Sequence, residues 1–377
     1  MIATILTLNA GSSSVKFQLF AKQNELPLLA AGKVTDIGLS FAPAQACAGG
    51  PVFSAVYGKG AAKEIALPDG ATHEDAVRRI FDWVHGHEDG WRIEAVAHRI
   101  VHGGAEFTGP ARVTADVFHR LKKLCPLAPL HQPHNLAALG IAERLLPHVP
   151  MVACFDTAFH ARHDPLFTAY ALPQELADKG IRRYGFHGLS YQWIAEVLKR
   201  DHPELAKGRV IAAHLGNGAS LCGMVGGRSI DSTMGMTALD GLPMGTRSGA
   251  LDPAAVIYMI RDLGIDPGKA EHMLYEESGL KGLSGLTNDV KALLASADPR
   301  AKFALDYFAL KAAQYAAMMA VAIGGCDAII FTGGIGENAA PVRDAIVKRL
   351  ALLGKFQTLV IPADEERVMA QEALESL

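Results

Sequence analysis

Residues 7–17 read Thr-Leu-Asn-Ala-Gly-Ser-Ser-Ser-Val-Lys-Phe, and this segment restricts the architecture more than any other. Ile2 to Leu8 has the pattern of a short strand. Val15, Phe17 and Leu19 then alternate with Lys16 and Gln18, the period of a second strand. The glycine and three serines between them offer backbone N–H groups and hydroxyls, with the Lys16 ammonium nearby. Those are the donors a phosphate requires. No Gly-Lys-Ser/Thr follows, and a strand rather than a helix comes next, so the segment is a strand–turn–strand hook and not a Walker loop. An ordinary polar hairpin is the alternative for this segment taken alone.

The pattern returns. Val210 to His214 is strand-like, Gly216-Asn217-Gly218-Ala219-Ser220 follows, and Leu221 to Ile230 reads as a strand pair turning at Gly226-Gly227. Gly11 matches Gly218 and Ser13 matches Ser220, which makes a faint internal repeat. Two halves that each open on such a hairpin predict a duplicated α/β fold with a cleft between the halves. A third loop, Thr332-Gly333-Gly334-Ile335-Gly336-Glu337-Asn338, follows the buried-strand pattern Ala328 to Phe331 and precedes a helix with Pro341 near its first turn. It reads as a glycine-rich strand-to-helix turn that lets a ligand approach the backbone.

The remaining punctuation fits an α/β chain of two domains. With 377 residues the chain exceeds the size at which single cores stop growing. A Gly/Ala/Pro-rich loop is expected from Ser40 to Pro51, and a helix over Ala71 to His85 with a Thr72/Asp75 start. Strands are expected at Ile93 to Val101, at Met151 to Phe155 and at Leu359 to Ile361, and helices at 115–124, 135–146 and 190–199. The net charge of −3 argues against a nucleic-acid partner. No targeting signal is recognisable, and the apolar run Ala312 to Ile323 is too short to span a bilayer. Cys47, Cys125, Cys154, Cys222 and Cys326 are dispersed, as expected of reduced thiols in a cytoplasmic protein.

Several charged residues stand where phosphoryl transfer would want them, since that chemistry needs in-line positioning and cations facing the developing charge. Arg99 closes a strand ahead of His102-Gly103-Gly104, and Arg247 lies in the loop Gly241 to Gly249. Asp156 follows a buried strand, as a metal-directed carboxylate or an N-cap would. His187, between Phe186 and Gly188, is placed to donate to a phosphoryl oxygen or to serve structurally. Read without context, Asp364-Glu365-Glu366 is a solvated helix start.

Together these segments resemble the acetate kinase family of the acetate and sugar kinase/Hsp70/actin superfamily. The resemblance runs in order through Leu8 to Lys16, His98 to Gly104, Ala128 to His131, Phe155 to His160, Arg182 to Gly188, His214 to Gly218, Met244 to Arg247 and Phe331 to Asn338. It implies a duplicated actin-like, ribonuclease H-like α/β fold of two domains with a central active-site cleft. The domains would be 1–157, completed by a C-terminal helix 367–377, and a nucleotide-binding domain 158–366. It implies reversible phosphoryl transfer from ATP to acetate, giving acetyl phosphate and ADP by direct attack. Mg2+ (or Mn2+) would be required, and the enzyme would be a homodimer without membrane or nucleic-acid partners.

By the family's motifs, Asn9, Arg99, Asp156, His187 and Arg247 would serve catalysis, with Asn9 and Glu365 placing the metal. Arg99, Val101, Leu130 and Phe186 would bind the acyl substrate. Lys16, His214, Asn217, Gly218, Asp289, Lys291, Gly334, Ile335 and Asn338 would hold the nucleotide.

Three departures stand out. Ala238 occupies a position often held by proline beside the methyl pocket, Lys291 replaces an arginine near the adenine, and Gln132 gives His-Gln-Pro for the common His-Asn-Pro. The first widens the acyl pocket, the second loses a planar stacking face, and the third has no assigned effect. A propionate or broader short-chain acyl kinase is the nearest alternative function, and an actin-like ATPase a remoter one.

Overall fold

The computed structural model describes residues 1–38, 50–58, 60–87 and 89–377. The expected loop from Ser40 lies outside them as far as residue 49, as does Cys47. The chain divides into two compact units, Met1–Ala158 with Asp364–Leu377, and Phe159–Ala363. Glu365, expected in the second domain, falls in the first unit: it opens a helix, Glu365–Glu375, that packs on the first unit's strands.

The first unit is built on an eight-stranded sheet. Its strands are β1 (Ile2–Ala10), β2 (Val15–Ala21), β3 (Leu28–Thr35), β4 (Val52–Tyr57), β5 (Lys63–Ala66), β6 (Trp91–Ile100), β7 (Ala111–Arg112) and β8 (Met151–Phe155). Their order is β5-β4-β3-β2-β1-β6-β8-β7. β1 to β5 form an antiparallel meander, while β6 and β8 run parallel to β1. The second unit holds a five-stranded sheet of β9 (Arg209–Leu215), β10 (Ala219–Val225), β11 (Arg228–Ser232), β12 (Ala328–Thr332) and β13 (Gln357–Val360), ordered β11-β10-β9-β12-β13. The run β3-β2-β1-β6-β8 has the same pattern: three antiparallel strands, then two parallel to the first. The repeat seen in two glycine turns is thus a repeat of topology.

Amphipathic helices close both sheets. His73–His85 begins at Thr72, whose hydroxyl accepts from the Asp75 N–H while the Asp75 carboxylate accepts from the Thr72 N–H. Such a reciprocal box is worth about 1 kcal/mol. The same helix buries Val77, Ile80, Phe81 and Val84 against Leu6, Leu8, Phe17 and Val96 of the sheet. Burying those four side chains contributes roughly 6–12 kcal/mol before the entropy of ordering is subtracted.

The opposite face is set by register. Arg99 pairs with Cys154, whose thiol meets the Met369 carbonyl of helix Glu365–Glu375. Since residues directly opposite each other on paired strands project to the same face, Arg99 faces that helix too. In the second unit, helix Pro299–Ile323 lies on β9, β10 and β11, with Met319 and Ile323 against Gly223 of β10. The expected apolar run 312–323 is its last half. No helix among the described residues is long and apolar enough to cross a membrane.

Candidate active site

The β1–β2 hairpin closes through the Gly11 N–H donating to Ser14 O (2.8 Å), with Asn9 opposite Lys16 across the strands. Its backbone is pinned from outside. His73 Nε2 donates to Gly11 O at 2.7 Å, and Asn135 Nδ2 donates to Ala10 O at 2.7 Å.

Arg99 lies beside the hook at the end of β6. Its Nε donates to Asp156 Oδ1 (2.9 Å) and its Nη2 to Asp156 Oδ2 (2.7 Å), a two-point fork. Nη1 points to Asn9 Oδ1 (3.4 Å) and lies 3.6 Å from Glu365 Oε2. Asn9 Nδ2 in turn donates to Glu366 Oε1 (3.5 Å). Asp156 is 2 % exposed, so its partnership with Arg99 is formed away from water.

Burial alone would weaken the Arg99 charge, but Asp156 and Glu365 outweigh it, and the guanidinium stays firmly charged. Burial also raises the Glu365 carboxyl above its ordinary range, with Asp156 adding to the shift and Arg99 opposing it. Glu366 is raised by burial and by the charge of Glu365. Three carboxylates thus face the two cations Arg99 and Lys16, whose charge reaches both Glu365 and Glu366.

This donor set suits a hard divalent cation. Glu365 offers a carboxylate and Asn9 an amide oxygen, and a cation would relieve the surplus negative charge. Among the described residues no group of three or more His, Cys, Asp or Glu side chains forms a metal cage. Mg2+ does not ask for one, because it binds through one or two carboxylates together with substrate phosphates.

Of the acyl-pocket candidates, Val101 is buried and its N–H donates to Asn135 Oδ1 (3.1 Å), whereas Leu130 is 38 % exposed. Phe186, in the second unit, is buried, and its carbonyl accepts from His160 Nε2 (3.0 Å).

The second unit assembles the other candidates around β9, β10 and the loops after them. His187 adopts the left-handed conformation (φ +58°) as the residue before helix Gly188–Asp201, an uncommon backbone state outside glycine. Its ring stacks on His214 with centroids 4.2 Å apart. Ser220 Oγ meets His187 Nδ1 (2.8 Å) and also the Tyr191 hydroxyl, while Ser190 Oγ meets His214 Nδ1 (2.9 Å). With each Nδ1 held by a serine, the Nε2 atoms turn toward the glycine hook. A β-carbon at Gly218 would lie 3.2 Å from His187 Nε2 and 4.0 Å from Arg247 Nη1, and one at Gly216 would lie 3.8 Å from His214 Nε2. A side chain at Gly218 would crowd both His187 and Arg247.

Arg247 donates through Nη1 to Ala238 O (3.0 Å), and its guanidinium lies 5.8 Å from the centre of the Tyr275 ring. Its loop is tied to the hook by the Gly245 N–H donating to Asn217 O (3.0 Å). Asn217 Oδ1 accepts from Asn288 Nδ2 (3.0 Å), which brings the neighbouring Asp289 to the same hook. Asp289 itself caps helix Val290–Ala295 by accepting from the Lys291 N–H (2.9 Å).

The third loop departs from the expected form. Gly333–Asn338 is not an open turn but a short helix. Glu337 Oε1 accepts from the Gly333 N–H (3.0 Å), and Asn338 Nδ2 donates to Gly334 O (2.9 Å), so side chains within the segment wind it up. Gly333 has φ +77°, and a β-carbon there would lie 2.8 Å from Leu215 O. Gly334 and Ile335 sit in this first turn, with nothing within 4 Å of where a Gly334 side chain would start.

Pattern reading gave no role to Ser190, Tyr191, His73 and Asn135, which hold the candidates in place, and it named Ser220 and Glu337 without the contacts they make. Most are small or neutral polar side chains without a motif of their own. The one available signal was Gln132, noticed as a departure but given no role.

A model of the acetokinase family matches residues 4–373. An acetate kinase of Nitrobacter hamburgensis is 44% identical, the match covering 99% of this chain and 96% of that protein. Among solved structures, a propionate kinase from Francisella tularensis superposes with a TM-score of 0.91 at 34% identity, covering 100% of both chains. An acetate kinase from Porphyromonas gingivalis superposes with a TM-score of 0.86 at 30% identity, covering 99% of both.

Proposed function

Because this chain belongs to the acetokinase family, we propose that it transfers a phosphoryl group reversibly between ATP and acetate, yielding acetyl phosphate and ADP. The observation that carries this reading is the buried Arg99 fork on Asp156, with Asn9 and Glu365 around its remaining nitrogen. Asp156 uses both oxygens on Arg99 and so holds a planar cation in a fixed orientation. Arg99 then supplies positive charge to a carboxylate nucleophile or to the travelling phosphoryl group, without reorganising as charge develops. In the second unit, Arg247 brings a guanidinium to Gly218 with the His187 ring beside it, an arrangement that suits phosphate oxygens. The two glycine hooks supply backbone N–H donors for phosphate oxygens.

Asn9 and Glu365 would hold Mg2+. When bound, the ion neutralises charge on the nucleotide's phosphate oxygens. A direct attack by the acyl oxygen needs no nucleophile from the protein, in keeping with a site made of cations, amides and carboxylates.

A homodimer in the cytoplasm completes the proposal. Helix Pro253–Arg261 buries none of its residues, and Leu251, Ile257, Tyr258 and Leu263 leave about half their surface exposed. Such an apolar ridge suits contact with a second copy. The four cysteines among the described residues are free thiols, as a reducing compartment favours.

The test is to incubate purified protein with ATP, Mg2+, hydroxylamine and acetate or propionate, and to measure acyl hydroxamate. Formation with acetate is expected. A pure, folded sample that forms none with either acid would refute the assignment. A higher kcat/KM for propionate would move the substrate one methylene up.

A further inference from the structure

Past the end of β6 the chain makes a loop whose donors are all taken by side chains. The N–H of Val101 donates to Asn135 Oδ1 (3.1 Å), that of His102 to Gln132 Oε1 (3.1 Å), and that of Gly103 to Thr157 Oγ1 (3.0 Å). The Gly104 N–H turns back to His102 Nδ1 (2.9 Å). Four successive amides thus have no ladder partner, and the loop's path is dictated by its neighbours' side chains.

Gln132 differs from the other three because it grips at two points. Besides accepting from the His102 N–H, its Nε2 donates to the His102 carbonyl at 3.0 Å. Gln132 is fully buried as the first residue of helix Gln132–Leu145, where Pro133 presets the backbone. The paired bonds fix both the position and the rotation of the peptide units flanking His102, and therefore the direction of the Val101 side chain.

We infer that Gln132 is a positioning residue that sets acyl-chain selectivity by clamping the Val101–Gly103 backbone. This rests on the reading above in which Val101 faces the methyl group of the acid. The clamp gives a function to the residue that replaces the common asparagine. It also predicts an effect confined to the acid, since both side-chain hydrogen bonds of Gln132 go to the His102 backbone.

Gln132→Met keeps the length of the side chain and removes both hydrogen bonds, while Gln132→Asn keeps the amide on a stem one methylene shorter. kcat and KM for acetate, propionate and ATP are measured for each, alongside the melting temperature. For Gln132→Met the KM for acetate should rise about tenfold, and the acetate-over-propionate ratio of kcat/KM should change roughly fivefold. The KM for ATP should stay within about twofold, and Gln132→Asn should fall between wild type and Gln132→Met. A folded Gln132→Met enzyme with unchanged discrimination overturns the inference while leaving the reaction assignment standing. So does an equal rise in KM for acid and nucleotide, or a Gln132→Asn enzyme as damaged as Gln132→Met. Should Gln132→Met not fold, Gln132→Asn decides alone: selectivity equal to wild type refutes the clamp. A wild-type protein inactive with every short acid overturns the reaction, and the clamp with it.

Discussion

Replacing Arg99 with alanine tests the construction of the first unit's site most directly. The substitution removes both bonds of the fork on Asp156, at 2.9 and 2.7 Å, and leaves that carboxylate 2 % exposed with no cation. Glu365 loses the positive charge that lies 3.6 Å away. Breaking a buried ion pair from one side costs about 3–5 kcal/mol. The Arg99 side chain keeps 20% of its surface, which favours the lower end of that range, about 3 kcal/mol. In a unit of about 170 residues this corresponds to a fall of roughly 6–12 °C in melting temperature.

Two of the chain's three tryptophans, Trp83 and Trp91, lie in that unit, so fluorescence-detected melting follows it. Asp156→Ala should cost distinctly less in the Arg99→Ala background than in wild type, because the second change removes the charge that the first had stranded. Turnover should fall by about 10² to 10³. A melting temperature lowered by less than about 2 °C, or strictly additive single and double variants, would refute the buried fork as an energetic unit.

Two further predictions concern acid stability and assembly. His98 is fully buried, its Nε2 has no hydrogen-bond partner among the described residues, and burial pushes the imidazole down to about 3. The unfolded chain takes up that proton near pH 6.5, so the stability tied to neutral His98 is complete above that pH and is lost as pH falls toward 3. His98→Met should therefore shift acid unfolding of the first unit to lower pH, by a margin on the order of 3 kcal/mol at pH 4; an unchanged acid midpoint in a fluorescence titration would contradict this. Ile257→Glu places a charge on the exposed ridge of helix Pro253–Arg261 and should give monomers in sedimentation velocity with each unit still folded; persistence of the wild-type assembly would rule out that ridge as the contact.

Local chemistry announced itself in the sequence. The turn at Gly11–Ser14, the capping box at Thr72 and Asp75, and the strand Met151–Phe155 are written in adjacent residues. Tertiary partnerships were legible only through family motifs, since Asn9 and Glu366 meet across 357 positions and no short pattern encodes such a pair. Read alone, the acidic start of helix Glu365–Glu375 looks solvated; it is half-buried because the chain returns to the first sheet after passing through the second unit. Gly333–Asn338 was misjudged for a different reason. Glycine argues for an open turn, but Glu337 binds back to the Gly333 N–H and outweighs that propensity. Gln132 and Asn135 were invisible as functional residues because their work is done on a backbone some 30 positions earlier.

The return of the chain at Asp364 has a consequence for biosynthesis. The ribosome makes all of 159–363 before it makes the helix that covers β1, β6 and β8. Until then the first sheet must wait with one face bare, and its Arg99–Asp156 pair lacks the carboxylates of Glu365 and Glu366. A nascent chain therefore holds both glycine hooks well before it holds a complete site. On the proposed assignment, catalytic competence arrives as a late event of synthesis, after both hooks have been made.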